Sequence, residues 1–215
     1  MSTSSYQINP APNEPFTQLG ERLCLDFVNT KEHRLYRSPD DLLTGNPALL
    51  AWAVYSGIMT DEERWVLLQR VQDDAEKASR IFERAVAFRE VLHRVFCRIA
   101  HADAPTDADL NQIKQMYVQA IAHTEFSLTA NSFTLLPGKE NLTAEHILWD
   151  IARSAVEVLT TADLTRIKEC PGINDCGYLF LDISKNGTRH WCSMDICGSR
   201  VKMRRQYARK RRMRE

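Results

Sequence analysis

Apolar residues between positions 20 and 160 recur mostly with the three- and four-residue spacing of helices. The longest pattern reaches to about Ala102, with a break or bend expected near Ser79, and its apolar positions are Ile81, Ala85, Phe88, Leu92, Val95, Phe96 and Ile99. A second pattern follows Thr106 and Asp109, and a third covers residues 144–161. This part of the chain is therefore predicted to be mainly helical.

Residues that commonly begin and end helices make this prediction more specific. Asn46 and Pro47 precede an apolar run that Gly57 can end in the left-handed conformation. Thr60 and Glu63 form a capping-box pattern at the start of the next helix. The segment LCLDFVNT, residues 23–30, fits a buried helix or a strand, and we favour the helix. FSLTANSFTLLPG, residues 126–138, contains two β-prone runs and predicts a hairpin.

The last fifty residues follow a different pattern. In GYLFLDISKNGTRHW, residues 177–191, apolar positions alternate before Asn186-Gly187, a strong two-residue hairpin signal. Strands are expected on both sides of this turn. A basic helix is expected to run from near Met194 to about Arg212.

Charge is distributed unevenly, although the formal net charge of the 215 residues is zero. Residues 166–215 contain thirteen Lys+Arg and five Asp+Glu, so they carry +8 and residues 1–165 carry −8. An acidic body with a basic tail indicates a polyanion-binding module attached to a domain that does not itself bind polyanions.

The first residues of the chain and its hydropathy indicate where in the cell the protein is expected. Residues 1–15, MSTSSYQINPAPNEP, lack a cationic region followed by an apolar region, and we interpret them as a flexible leader, not a signal peptide. No segment approaches eighteen consecutive apolar residues, so no membrane-spanning helix is predicted. We therefore expect a cytoplasmic protein with no membrane partner.

Four cysteines near the C-terminus form two pairs, Cys170-x5-Cys176 and Cys192-x4-Cys197, on either side of the predicted hairpin. In a reducing compartment such clusters more often bind metal than form disulfides. Four thiolates satisfy the tetrahedral preference of Zn²⁺ and leave no position for water. The sequence predicts one structural zinc ion, and the arrangement resembles a treble-clef zinc finger.

Other candidate ligands are weaker. His190 is a rival to one of the four cysteines, and its neighbour Trp191 is expected to pack over the site. Cys24 and Cys97 lie in apolar stretches, where free cysteine usually acts as a small apolar residue. The histidines of the body show no cluster at ligand spacing; they are His33, His93, His101, His123 and His146.

The cysteine-rich segment resembles the CGNR zinc finger, named for a Cys-Gly-Asn-Arg sequence that here reads Cys197-Gly198-Ser199-Arg200. The resemblance covers residues 170–202 and includes Phe180, Asp182, Ser184, Lys185, Asn186, Arg189, Trp191, Met194 and Lys202. Serine at position 199 replaces the family's asparagine, which leaves the zinc ligands unaffected.

Such fingers usually follow a mainly helical domain called ABATE, which residues 16–165 resemble. The resemblance rests on LCLDFVNT, on a helix carrying Phe88-Arg89-Glu90, and on the hairpin and helix that follow. It implies a bacterial, stress-responsive transcription regulator whose helical domain binds an unidentified ligand. We expect a mainly α (α+β) fold in three parts: a leader at 1–15, the helical domain at 16–165 with its small β-hairpin, and the finger with its hairpin and long basic helix at 166–215.

The favoured function is regulation of transcription through binding of duplex DNA. The expected DNA contacts are Lys185, Asn186, Arg189, Arg200, Lys202, Arg204, Arg205 and Arg209. An RNA-binding or ribosome-associated protein and a protein-interaction adaptor remain alternatives. Tyr207 is the only aromatic residue of the tail, whereas single-strand binders usually show several, and this favours duplex DNA. A homodimer is kept as a candidate assembly.

The helical domain is expected to hold a polar pocket for a small-molecule effector. Its candidate residues are Asp26, Asn29, Thr30, Arg34 and Arg89, which lie in the family-like segments. A structural ion pair or a helix cap is the alternative for them. The chain has no GxSxG, GxxxxGK[ST], GxGxxG or HExxH motif, and we expect that it is not an enzyme.

Overall fold

The computed structural model describes residues 15–34, 39–137, 142–172 and 176–212. Its helices are α1 (Leu23–Val28), α2 (Asn46–Tyr55), α3 (Asp61–Asp73), α4 (Ala75–Ala100), α5 (Asp107–Ala122), α6 (Glu145–Thr161) and α7 (Ser199–Arg212). Its strands are β1 (Thr124–Leu128), β2 (Phe133–Pro137), β3 (Ile167–Glu169) and β4 (Leu179–Leu181). The predicted mainly helical fold class is confirmed. Of the leader predicted at 1–15, residues 1–14 lie outside the described ranges.

Local signals fix several helix ends. The Thr60 side chain accepts a hydrogen bond from the Glu63 amide while the Glu63 carboxylate accepts one from Thr60, which completes the predicted capping box. Gly57 has a φ of 75° after α2, as a left-handed cap requires. LCLDFVNT forms a helix, as favoured. The break predicted near Ser79 lies at Asp74, whose side chain caps α4 through the Lys77 amide.

Both hairpins are antiparallel, but only the first has the predicted strands. β1 pairs with β2 in the register Thr124↔Pro137. In the finger, β4 pairs with β3 in the register Ile167↔Leu181, and among the described residues no strand follows the turn at Asn186-Gly187. The strand predicted before the turn is present as β4, but the one predicted after it is not, because β3 pairs with one edge of β4 while Asn29 and Gly20 bond to the backbone of Leu179 and Leu181.

One apolar core joins the helical body to the finger's strands. α4 packs against α1, α2, α3, α5 and α6 and also against β3 and β4. Ile167, Leu179 and Leu181 are buried in the same cluster as Phe27, Trp52 and other side chains of the body. The strands β3 and β4 thus complete the core of the helical body.

Polar contacts reinforce this junction. The Asn29 side chain donates to the Leu179 carbonyl and accepts from the Leu179 amide, both at 2.9 Å. The Leu181 amide donates to the Gly20 carbonyl at 3.0 Å. The Tyr178 hydroxyl donates to the Glu32 carboxylate. These bonds satisfy backbone and hydroxyl groups that burial would otherwise leave unpaired.

Candidate metal centre and nucleic-acid surface

The four predicted zinc ligands lie together at the end of the β3–β4 hairpin. One sulfur from each of Cys170, Cys176, Cys192 and Cys197 lies within 4.8 Å of the others, and all four side chains are buried. The Cys192 sulfur is 3.7 Å from that of Cys176 and 3.6 Å from that of Cys197. Roughly 3.7 Å is the separation expected of two sulfurs that share a tetrahedral zinc ion.

Three segments bring these sulfurs together, and one of them is the loop that holds Cys192, whose amide donates to the Cys170 sulfur at 3.3 Å. The hairpin end supplies Cys170 and Cys176, with the Cys170 amide donating to the Tyr178 carbonyl at 2.8 Å. A single helical turn, Met194–Gly198, supplies Cys197 just before α7. The predicted helix from near Met194 to about Arg212 is thus present as this turn followed by α7.

Two glycines are needed for the close approach of these elements. A Cβ at Gly172 would lie 2.7 Å from the Cys197 sulfur and 3.3 Å from the Cys170 sulfur, so only glycine fits against the cluster. A Cβ at Gly198 would collide with the Met194 sulfur and lie 3.1 Å from Trp191. Trp191 packs against the cysteine cluster, as predicted, with the His190 ring edge-on to it at 4.6 Å.

The chemistry of the four thiols fits a dication. The pKa of Cys170 is well below its usual value because its sulfur accepts hydrogen bonds from Cys176 and Cys192. Hydrogen bonding to Cys170 raises the pKa of Cys176 and of Cys192, and burial followed by the charge on Cys170 raises the pKa of Cys197. Four thiolates at these distances repel one another unless a cation lies between them, and four sulfurs leave no position for water. The site is therefore suited to a structural Zn²⁺.

Beside the metal centre, Asp182 organises the loop that carries Lys185 and Asn186. Its Oδ1 accepts from the Ser184 amide at 2.9 Å and the Ser184 hydroxyl at 2.6 Å, and its Oδ2 accepts from Lys168 at 2.6 Å and the Arg189 amide at 2.9 Å. Chiefly because of Lys168 and Ser184, the pKa of this buried carboxyl stays low despite its desolvation. The Asp-x-Ser spacing is a sequence signal for this loop.

Most of the predicted DNA contacts are exposed. Lys185 and Asn186 lie at the loop tip, and Arg200, Lys202 and Arg204 project from α7. None of the described residues pairs with the last three. Arg205 and Arg209 lie within α7, but their side chains fall outside the description. Lys202, Met203, Arg204, Gln206 and Tyr207 are all exposed, so this part of α7 faces solvent on every described side.

Arg189 is not available for DNA. Its guanidinium donates to Glu21 at 2.6 Å, to the Leu19 carbonyl at 3.0 Å and to the Trp191 carbonyl at 3.1 Å, and it lies 4.6 Å from the centre of the Phe180 ring. The prediction of a DNA contact here is replaced by a structural role. Arg189 links the finger loop to the residues that precede α1.

The side chain of Ser199, which replaces the family's asparagine, bonds to the backbone of the helical turn that precedes it. Its hydroxyl donates to the Asp195 carbonyl at 2.5 Å. The bond satisfies a carbonyl of the turn that carries Cys197. Ser199 thus makes a local polar contact at the start of α7.

Three of the five residues predicted to form a ligand pocket, Thr30, Arg34 and Arg89, are instead linked by hydrogen bonds and ion pairs to Asp41 and Glu90. Arg89 is fully buried and donates to both carboxylate oxygens of Asp41, at 2.8 and 2.5 Å, and to Thr30 at 3.0 Å. Arg34 donates to both oxygens of Glu90, at 2.8 and 3.2 Å, and so holds the pKa of Glu90 down to about 2.

The remaining two pocket candidates are equally enclosed. Asn29 is used by Leu179, and the Asp26 Oδ1 accepts from the Gly20 amide at 2.8 Å. Burial raises the pKa of Asp26 to about 7. Among the described residues, the cavity between α3 and α4 and the cavities around the finger are lined by none of the five predicted residues, so they do not support the pocket predicted around Asp26 or Arg89.

A different cavity, of about 240 Å³, lies between α3 and α4. Leu67, Val71, Ala78 and Ile81 provide its apolar walls. Arg70, Asp73, Asp74 and Lys77 also line it. Sequence periodicity marked these positions only as parts of amphipathic helices, since a gap between two helices leaves no local signal.

Comparison with known families agrees with this architecture. Residues 21–162 match the ABATE family, described as "Putative stress-induced transcription regulator", and residues 166–210 match the CGNR zinc finger. A search of the curated proteins found no match. No helix in the described ranges is long and apolar enough to cross a membrane. The chain belongs to the ABATE family and carries a CGNR zinc finger whose Cys170, Cys176, Cys192 and Cys197 hold one structural zinc ion.

Proposed function

We propose that the chain is a DNA-binding transcription regulator, a binding protein and not an enzyme, that acts in the cytoplasm. The observation that carries the proposal is the exposure of α7. The described side chains at 202–207 are all exposed, and a helix with so little buried surface gains little stability from packing on the rest of the chain, so we infer that a partner stabilises it. Its cationic side chains favour a polyanion as that partner.

The geometry suits the major groove of duplex DNA. The turn Met194–Gly198 and α7 together span nineteen residues, roughly 28 Å at 1.5 Å per residue. The zinc centre fixes the start of this rod through Cys197. A rigidly anchored helix of this length can cross a groove about 12 Å wide.

Roles follow from position along the rod. Arg200 lies closest to the zinc centre and also lines a cavity with Cys176 and Cys197, so we assign it a positioned base contact. Lys202 and Arg204 are further from the anchor and are assigned to phosphates, as are Lys185 and Asn186 from the loop. Most protein–DNA hydrogen bonds go to the backbone, and this division reflects that distribution.

Selection of bound duplexes from a random pool by the zinc-loaded protein tests the proposal. A sharp motif is expected, and a palindromic one would also support the homodimer. The control is a chain truncated after Arg200, which keeps the metal ligands and loses the exposed part of α7. Equal binding of duplex by both proteins would reject the proposal. If competing single-stranded RNA displaces the bound duplexes, the RNA-binding alternative is favoured. If no nucleic acid is enriched, the adaptor is favoured.

We also propose that a small-molecule effector bound to the helical body acts on the finger through the shared core. The cavity between α3 and α4 suits a small, mainly apolar molecule, and α4 packs directly against β3. Ala78→Leu would fill part of this cavity. We expect a screen of small apolar compounds to find one that shifts the melting temperature of the wild-type protein. Ala78→Leu should abolish that shift, whereas Ala130→Leu, at an exposed turn, should leave it unchanged.

A further inference from the structure

A second group of metal-ligating side chains lies where α4 meets β3, apart from the four cysteines. His93 and Cys97 are on successive turns of α4, and Glu169 ends β3. One ligand atom from each lies within 4.8 Å of the other two. The spacing of four residues places His93 and Cys97 on one face of the helix.

Two atoms of this group are buried without a partner among the described residues. They are Nε2 of His93 and Oε1 of Glu169. Native proteins rarely leave buried polar atoms unpaired, and a bound ion is one of the usual reasons when they do. Both atoms belong to ligand types that bind zinc.

The second oxygen of Glu169 is held in place from outside the group. His101, at the end of α4, directs Nδ1 to the Cys97 carbonyl at 2.8 Å and Nε2 to Glu169 Oε2 at 3.2 Å. This arrangement leaves Oε1, which is buried without a partner among the described residues, as the oxygen that can bind a metal. Ligating carboxylates are commonly oriented by such an outer partner.

The group also has an entry path. A cavity of about 440 Å³ is lined by Glu169, one of the three ligands, together with His101, Cys170 and His190. Three protein ligands beside an open cavity leave a fourth position for water, as in exchangeable and catalytic zinc sites. Nitrogen, sulfur and oxygen donors together select zinc over magnesium or calcium.

We propose that His93, Cys97 and Glu169 form a second, exchangeable zinc site whose occupancy links α4 of the helical body to β3 of the finger. The site does not depend on DNA binding. It differs from the four-cysteine centre in having one thiolate and an open position, so it fills when zinc is added and empties first.

Equilibrium dialysis of the full-length, reduced protein against buffered zinc tests the site. The wild-type chain should retain one equivalent at low free zinc and two at saturation, while Cys97→Ser should stop at one. Glu169→Gln should behave like Cys97→Ser. Because Glu169 adjoins Cys170, Cys97→Ser decides the question if Glu169→Gln loses both equivalents.

A matched pair of histidines separates orientation from ligation. His101 and His123 each end a helix with Nδ1 2.8 Å from a carbonyl four residues back. His101→Gln should weaken the second equivalent by about 10- to 100-fold, as loss of outer partners does, and His123→Gln should not change it.

Cobalt provides an independent readout. Co²⁺ added to protein that already holds one zinc should give sulfur-to-metal absorption in the wild type and none in Cys97→Ser. Saturation of the wild type at one equivalent, or an unchanged second equivalent in Cys97→Ser, would overturn the proposal. Retention of the first equivalent in each variant shows that the finger is still folded.

Discussion

Asn29 connects the helical body to the finger through one side chain. Its amide satisfies both backbone groups of Leu179, a fully buried residue of β4. Asn29→Ala should therefore destabilise the protein by about 2–4 kcal/mol, because two buried backbone groups lose their partner. Urea unfolding measures the difference. Asn131→Ala, at the exposed β1–β2 turn, should change stability by less than about 0.5 kcal/mol. Equal effects of the two substitutions would contradict the role of Asn29.

Asp26 gives the protein a distinctive dependence on pH. Its folded-state pKa is raised to about 7, chiefly by burial, so the folded protein holds this proton more tightly than the unfolded chain. Stability should then fall as pH rises from about 4 through 7 and level off above it. Asp26→Asn removes this titration while its side-chain oxygen can still accept from Gly20.

The prediction is for the difference in the free energy of unfolding between Asp26→Asn and wild type. The stability of the variant relative to wild type should rise by on the order of 2–4 kcal/mol between pH 5 and pH 8. Both proteins carry the four-cysteine centre, so its own pH dependence cancels in the comparison. Asp103→Asn, at an exposed position, should show no such trend. A constant difference for Asp26→Asn would mean that Asp26 is ionised throughout.

At the scale of elements, local signals predicted the helices well and strand pairing poorly. Thr60 and Gly57 act on neighbours within four residues, so their capping roles could be predicted from the sequence. The partner of β4 could not, because β3 has only three residues and pairs across the metal-binding loop. Asn186-Gly187 does form a turn, but Asp182 and Lys168 hold the returning chain in place of a second strand.

The same difference between local and long-range contacts explains which site residues could be predicted from the sequence. The zinc ligands come as two close pairs, and their spacing alone indicated metal. Arg89 and Asn29 find their partners 48 and 150 positions away, in Asp41 and Leu179, and nothing local distinguishes such a structural polar residue from a pocket residue. The second candidate site has a weak signal in retrospect, the spacing His93-x3-Cys97, but its third ligand lies on a different element.

The exposed part of α7 makes separable predictions for its arginines. Five or six phosphate contacts imply a log–log dependence of DNA affinity on salt with a slope of roughly −5. Arg204→Ala should reduce that slope by about one and weaken binding to all sequences alike, whereas Arg200→Ala should also relax sequence preference. Arg80→Ala, on the exposed face of α4, is the control and should change neither. Identical effects of Arg200→Ala and Arg204→Ala would remove the base-contact assignment.

At the scale of the whole molecule, the shared core changes what loss of zinc should do. If the finger were an independent module, Cys197→Ala would unfold residues 166–215 and leave the helical body intact. However, Ile167, Leu179 and Leu181 lie in the core of that body, between the metal ligands and α4. Disorder at the cysteine cluster should expose these residues and weaken the body as well.

We therefore expect Cys197→Ala, or removal of zinc by a chelator, to lower the stability of both parts. Each large apolar side chain lost from the core costs about 1.5–3 kcal/mol, so losing even part of the β3–β4 contribution is a large fraction of a typical domain's stability. Helical circular dichroism and tryptophan fluorescence, to which the buried Trp52 contributes, should report one transition at reduced temperature. Cys24→Ser, which alters a buried thiol that is not a ligand, controls for loss of a cysteine itself. A body that melts at the wild-type temperature without zinc would show that the finger's strands are dispensable and that the two parts fold independently.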